Sequence, residues 1–170
     1  ITYTDNVDDF FNNKKQLLIL NHDSSLLDQL LPENSVDFIL TDPPYGDTVP
    51  YFSMESIYTC WLEKIYPNFK INFDNELIIR NNNYDEYENK FRRCFKSANS
   101  ILKDNKRAIV TFHSKDLRVW TLLQKSLDYN GFQKEKIILQ PNLRSGETVG
   151  ANPYGQTSND YYLRYKNKKN

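Results

Sequence analysis

Short apolar runs alternate along the chain with longer segments whose apolar residues recur at helical spacing. The apolar runs at residues 16–20, 36–41, 107–112 and 132–140 predict buried strands, and residues 160–165 predict a short final strand. Helical spacing predicts helices over about residues 53–65, 84–102 and 116–129. A shorter helix can start at Ser24 or Ser25 and must end at Pro32. The polar stretches 67–83 and 141–158 predict loops.

This order of elements predicts an α/β fold. Buried strands separated by helices form a mostly parallel sheet, and such sheets carry helices on both faces. No helical segment separates residues 132–140 from residues 160–165, so these two strands should form an antiparallel hairpin at the C-terminal end. The length of 170 residues is that of one domain, and we expect residues 1–170 to be a single domain.

Composition argues against membrane and metal partners. No stretch approaches the roughly 18 apolar residues of a membrane span, and the first residues lack the pattern of a secretion signal. Cys60 and Cys94 are isolated and have no ligand spacing, which predicts buried thiols, a reducing cytoplasmic location and no metal site.

The zero formal net charge hides an asymmetry between the two halves. Residues 1–89 carry 5 Lys and Arg against 16 Asp and Glu, whereas residues 90–170 carry 17 against 6. A basic half is one route to the phosphates of a nucleic acid. The alternative is that the two halves neutralise each other across solvated faces.

Chemistry is concentrated in Asp42-Pro43-Pro44-Tyr45, directly after the strand predicted at 36–41. In open α/β sheets, ligands bind beyond the carboxyl ends of strands. The carboxylate of Asp42 and the carbonyl of Pro43 can accept the hydrogens of an amino group on a flat ring, which localises the nitrogen lone pair for attack on a methyl group. Two prolines stiffen the turn, and Tyr45 offers a face on which a flipped base can stack.

The segment 35–51 resembles motif IV of the DPPY-type DNA amino-methyltransferases, which methylate adenine or cytosine. That resemblance implies a Rossmann-like class I methyltransferase sheet, S-adenosyl-L-methionine as cofactor and DNA as partner. It implies transfer of a methyl group to the exocyclic amino group of adenine, in restriction-modification or in phage or host modification. Asp42, Pro43, Pro44 and Tyr45 are then the catalytic residues.

Two further sets of residues are candidates for the site. The segment 18–24 resembles the motif III region of this family, where a polar or acidic residue contacts the adenosine of the cofactor, which implies this role for Asp23. Tyr51 and Phe52 follow the motif and are candidates for lining the base pocket, with ordinary packing as the alternative.

The glycine-rich turn that holds the methionine part of the cofactor in this family has no counterpart among the 5 glycines. We therefore expect a partial domain that spans motifs III to VIII, with the cofactor motif in a missing part of the enzyme or in a second subunit. Two other functions stay open. One is an RNA guanine amino-methyltransferase, and the other is a non-catalytic nucleic-acid-binding fragment or subunit.

Overall fold

The computed structural model describes residues 1–66, 72–141 and 159–169. Its strands are β1 (Tyr3–Thr4), β2 (Leu17–Leu18), β3 (Val36–Thr41), β4 (Leu102–Phe112), β5 (Phe132–Pro141) and β6 (Asn159–Asn167). Its α-helices are α1 (Val7–Phe11), α2 (Tyr51–Ile65), α3 (Tyr84–Ile101) and α4 (Leu117–Tyr129). Two 3-10 helices cover Ser24–Gln29 and Phe73–Asn75. Most of the loop predicted at 141–158, and five residues of that predicted at 67–83, lie outside the described part.

The main sheet has four strands in the order β3-β4-β6-β5. Strands β3 and β4 pair in parallel, and β6 pairs antiparallel with both β4 and β5. Three of the four strands therefore run in the same direction, and the last two form the expected hairpin. The predicted fold class is confirmed: a mostly parallel Rossmann-like α/β sheet with a C-terminal antiparallel hairpin.

The hydrophobic core lies on one face of this sheet. Helices α3 and α4 contact each other there, and they cover the side chains of β4 and β6 that point toward them. On the opposite face, Phe38 and Leu40 of β3 are 51% and 65% exposed. The prediction of helices on both faces is therefore wrong for the described elements, because the two α-helices that cover this sheet, α3 and α4, pack side by side on the same face.

The strand predicted at residues 16–20 is only partly present. It is reduced to the two residues of β2, which pair in parallel with β1 in a separate small sheet. Leu17 and Ile19 are exposed, so the expected burial is wrong. An apolar run alone cannot show whether other elements are available to cover it.

Capping side chains set where three helices begin. Asp23, and not Ser24 or Ser25, caps the first 3-10 helix by accepting a hydrogen bond from the Ser25 amide at 2.8 Å. Asn83 caps α3 in the same way, accepting from the Glu86 amide. Asp116 caps α4 by accepting from the Arg118 amide, and Gly131 ends the turn after this helix with a positive φ of 79°.

Helix α2 presents its large apolar side chains to solvent. Met54, Ile57, Tyr58, Trp61 and Ile65 share one face, as the spacing predicts, and all five are exposed. Cys60 is also exposed, and Cys94 is half-buried, so the prediction of two buried thiols is wrong for Cys60. Among the described helices, none combines the length and the apolar character needed to cross a membrane.

Because of one buried hydroxyl, the fold should lose stability as the pH becomes alkaline. Tyr165 is 0% exposed, and its hydroxyl has no hydrogen-bond partner in the described part of the chain. Burial, and secondarily the charge of Asp128, raises the pKa of Tyr165 above its usual value. The folded protein therefore keeps a proton that the unfolded chain loses above about pH 10, and folding loses stability as pH rises.

We expect Tyr165→Phe to flatten the fall in stability at high pH. The slope should decrease by about 1.4 kcal/mol per pH unit above about pH 10, and the stability at neutral pH should be equal or higher because an unpaired hydroxyl is removed. Urea unfolding measured from about pH 8 to about pH 11 tests this. The same slope in the variant and the parent would contradict it.

Candidate amine-binding site

The turn that follows β3 places the Asp-Pro-Pro-Tyr motif at the carboxyl end of the parallel pair β3–β4. Asp42 is exposed there, whereas Pro43, Pro44 and Tyr45 are half-buried. Gly46 closes the turn with a φ of 81°, a backbone conformation that glycine adopts without strain. A methyl group at Gly46 would lie 3.2 Å from Cγ2 of Val119 in α4, so the turn also needs glycine for its close packing.

Buried hydrogen bonds attach this turn to the core. The hydroxyl of Tyr87, in α3, donates to the Pro44 carbonyl at 2.6 Å and accepts from the Gly46 amide at 2.9 Å. The amide of Ile79 donates to the Gly46 carbonyl at 3.1 Å. The hydroxyl of Thr48 donates to the Tyr45 carbonyl at 2.5 Å. The carbonyls of Pro44, Tyr45 and Gly46 are therefore all satisfied from within the chain.

The carbonyl of Pro43 differs from its three neighbours. No donor in the described part of the chain reaches it. Pro43 is half-buried and lies directly beside the Asp42 carboxylate in sequence. An amino group on a ring has two hydrogens to donate. A carboxylate can accept one, and a neighbouring backbone carbonyl that has no partner in the described chain can accept the other.

The Tyr45 side chain lies against the end of β4. Its ring packs edge-on against Phe112, with ring centroids 5.3 Å apart, and lies 6.1 Å from the ring of His113. Its hydroxyl donates a short hydrogen bond to Oδ1 of Asp42. Burial raises the pKa of Tyr45 above its usual value, and Asp42 raises it further, so the hydroxyl remains a donor at neutral pH. Base stacking by Tyr45 stays a prediction.

A cavity of about 360 Å³ opens beside the motif. Its lining includes Asp42, Pro43 and Pro44 of the motif and Ser24 and Leu27 of the first 3-10 helix. Its walls are mostly apolar, from α3 and from the covered face of the sheet. Pockets of this size and character hold flat ring systems. The helix that Asp23 caps thus lies on the same cavity as the Asp-Pro-Pro-Tyr motif.

The two aromatic candidates after the motif have different surroundings. Tyr51 is half-exposed at the start of α2. Phe52 is half-buried and packs edge-on against Phe73, with centroids 6.2 Å apart. The Phe52 amide also donates to the buried carboxylate of Glu76 at 2.9 Å. Phe52 therefore has a packing role in this structure, and a base-lining role for either residue stays a prediction.

Many basic side chains of the second half are paired within the chain. Lys103 and, at 3.0 Å, Lys106 contact Asp37, and they lower the pKa of this carboxyl from its usual value. Arg107 and Arg164 both contact Glu135. The two pairs with Asp37 join the basic half to the acidic half and agree with mutual neutralisation, whereas the two pairs with Glu135 lie within the basic half. Within the described ranges, no cluster of His, Cys, Asp and Glu side chains has the composition of a metal site.

Solved structures that share this fold include DNA methylases. TTHA0409, described as a DNA modification methylase from Thermus thermophilus, aligns with 87% of this chain at a TM-score of 0.52 and 14% identity. The same protein solved with S-adenosyl-L-methionine aligns at 0.51 and 16% identity. The PvuII DNA methyltransferase, which is cytosine-N4-specific, aligns with 86% of this chain at 0.54 and 17% identity.

The shared fold agrees with the resemblance to DNA amino-methyltransferases that Asp42-Pro43-Pro44-Tyr45 gives, and confirms it for the fold. The chain spans about half the length of these structures, covering 51% of TTHA0409 and 48% of the PvuII enzyme. No protein-family model matches the sequence, and the search of curated proteins gives no match.

The sequence did not point to Tyr87, Thr48 or Ile79 as parts of the site. Tyr87 has the spacing of a buried helix position, and the pattern carries no signal for the position of its hydroxyl. Thr48 and Ile79 act through single hydrogen bonds to backbone groups, which any residue with a suitable donor could make. A polar hydroxyl on an apolar helix face was the one available clue.

Replacing either positive-φ glycine by alanine should destabilise the protein, but only one replacement should disturb the site. Gly46→Ala and Gly131→Ala should each lower the free energy of unfolding by about 1–2 kcal/mol, because both place a Cβ in the left-handed region. Only Gly46→Ala should shift the carboxyl-carbon resonance of Asp42. Urea unfolding and carbon NMR measure the two effects, and equal shifts in both variants would contradict the expectation.

Proposed function

We propose that this chain is the catalytic-motif portion of an S-adenosyl-L-methionine-dependent DNA methyltransferase that acts on the exocyclic amino group of adenine. The observation that carries the proposal is the turn at residues 42–46. There the Asp42 carboxylate and the Pro43 carbonyl are adjacent in sequence, and no donor among the described residues reaches the Pro43 carbonyl, whereas the carbonyls of Pro44, Tyr45 and Gly46 all accept hydrogen bonds. The fold shared with DNA modification methylases supports the same reaction class.

An exocyclic amine is a poor nucleophile because its lone pair is delocalised into the ring. One amine hydrogen is donated to Asp42 and the other to the Pro43 carbonyl, which draws the nitrogen toward a tetrahedral geometry. Tyr45 donates to one oxygen of Asp42, which keeps this carboxylate oriented while its remaining acceptor capacity serves the amine. The target base must leave the DNA stack to reach this turn.

When bound, S-adenosyl-L-methionine would supply the methyl group: its methyl–sulfur bond would break as the nitrogen–carbon bond forms, S-adenosyl-L-homocysteine would leave, and the nitrogen would lose a proton. In this chain, the apolar cavity that joins Ser24 to Asp42 has room for a flat ring, and the neighbouring Asp23 could accept hydrogen bonds from an adenosine ribose. Its carboxylate accepts from Ser25 through Oδ1, so this role falls to its other oxygen. The residues therefore fit the adenosine side of the cofactor, and the sequence has no glycine-rich turn for the methionine side.

Cytosine N4 is the main alternative target, because the PvuII methyltransferase of the same fold has that specificity. We propose adenine N6, in a restriction-modification or a phage or host modification setting. A non-catalytic role as a DNA-binding fragment or subunit is the second candidate function. The absent glycine-rich turn and the basic second half of the chain are the observations behind it.

Asp42→Asn should reduce methyl transfer by about 100- to 1,000-fold, because it removes the charge that accepts the amine hydrogen. The assay uses methyl-labelled cofactor and DNA, with mass spectrometry of the nucleosides to identify the methylated position. Asp47→Asn is the matched control, since this exposed carboxylate lies on the same turn outside the motif. Undiminished transfer by the Asp42 variant would overturn the proposal, and N4-methylcytosine would correct the target base.

Calorimetry with S-adenosyl-L-methionine separates the two candidate functions. If the chain holds the cofactor through its adenosine side, we expect weak but measurable binding that Asp23→Asn reduces severalfold. Asp28→Asn, a carboxylate on the same 3-10 helix, should leave the binding unchanged. Absence of any binding heat would contradict cofactor contact by this chain and favour the non-catalytic role.

A further inference from the structure

Tyr87 connects the hydrophobic core to the catalytic turn through a single oxygen atom. The residue is in the second turn of α3, is 0% exposed and packs edge-on against Phe91 at a centroid distance of 4.7 Å. Its hydroxyl donates to Pro44 and accepts from Gly46. These two backbone groups lie immediately before and after Tyr45, so one hydroxyl fixes the peptide planes on both sides of that residue.

The orientation of Tyr45 follows from this double hydrogen bond. The two prolines already restrict the backbone before Tyr45, and the positive φ of Gly46 restricts it afterwards. With both flanking peptide planes fixed, the Tyr45 side chain leaves the turn in the direction that brings its hydroxyl to Asp42. The same bond keeps the Pro44 carbonyl turned toward the core, whereas the adjacent Pro43 carbonyl has no donor in the described chain.

We propose that Tyr87 is a positioning residue for methyl transfer, which acts through the turn to aim Asp42 and the Pro43 carbonyl at the target amine. This role rests on the proposed function of the turn. Tyr87 itself touches neither base nor cofactor in this account. Burial raises the pKa of Tyr87 above its usual value, which keeps the hydroxyl protonated and able to donate to Pro44 at neutral pH.

Tyr87→Phe tests the role because it removes the hydroxyl and keeps the ring in the core. Tyr165→Phe is the matched control, since Tyr165 is equally buried and its hydroxyl has no partner in the described structure. We expect Tyr87→Phe to lower kcat by about 10- to 100-fold, with the KM for DNA within about twofold of the parent, because the acceptors are misaligned and the DNA surface is intact. The control should change neither constant.

Hydrogen exchange gives a readout that does not depend on activity. In the parent, the Gly46 amide should exchange far more slowly than the amide of exposed Asp47, and Tyr87→Phe should accelerate Gly46 exchange by about 10-fold or more. The carboxyl-carbon resonance of Asp42 should move toward its position in a Tyr45→Phe variant. These measurements in the parent and the variant show whether Tyr87 orders the turn and Asp42, even if the variant is less stable to heat.

The outcomes separate this inference from the proposed function. If the parent transfers no methyl group but the Asp42 resonance moves in Tyr87→Phe, the proposed function fails and the positioning of Asp42 by Tyr87 stands. If Gly46 exchange and the Asp42 resonance are the same in Tyr87→Phe and Tyr165→Phe, the inference is overturned. A kcat as high in Tyr87→Phe as in the control would also overturn it.

Discussion

The two hydrogen bonds of the Tyr87 hydroxyl are the constraint on which the candidate site depends. They join a core helix to the backbone on either side of Tyr45, in a region where an unpaired backbone group is costly. Ile79 and Thr48 complete the set, so the carbonyls of Pro44, Tyr45 and Gly46 all accept hydrogen bonds from the chain. Among the residues that the structure describes, no donor reaches the carbonyl of Pro43, which directly follows Asp42 in sequence. The proposed chemistry therefore depends on which backbone carbonyls of the turn accept hydrogen bonds from the core and which do not.

Much of this architecture could be predicted from local patterns. The run 36–41 matches β3 residue for residue, because β-branched and apolar residues end abruptly at two prolines. The long helix and the final hairpin follow from spacing and from the absence of a helix between the last strands. The position of the motif at a strand end followed directly from these assignments, and the fold shared with methylases agrees with the resemblance that the motif gave.

The predictions of burial that are wrong have a common physical origin. Leu17, Phe38 and the apolar side of α2 carry the signature of buried positions, yet they are exposed in the described structure. Periodicity reports which residues share a face, whereas burial depends on what packs against that face. Periodicity likewise indicates only that Tyr87 is a core position. Its hydroxyl binds backbone groups that lie 41 and 43 residues away in the chain, which helical spacing cannot show.

The central claim is that the turn binds an exocyclic amino group through Asp42, and carbon NMR of the Asp42 carboxyl tests it most directly. The protein is titrated with 2′-deoxyadenosine and, in parallel, with the purine 2′-deoxyriboside that lacks the amino group. We expect only the nucleoside with the amino group to shift the Asp42 resonance, and the Asp47 resonance to respond to neither. Equal responses of Asp42 to both nucleosides, or no response to deoxyadenosine at concentrations that shift other residues of the cavity, would contradict it.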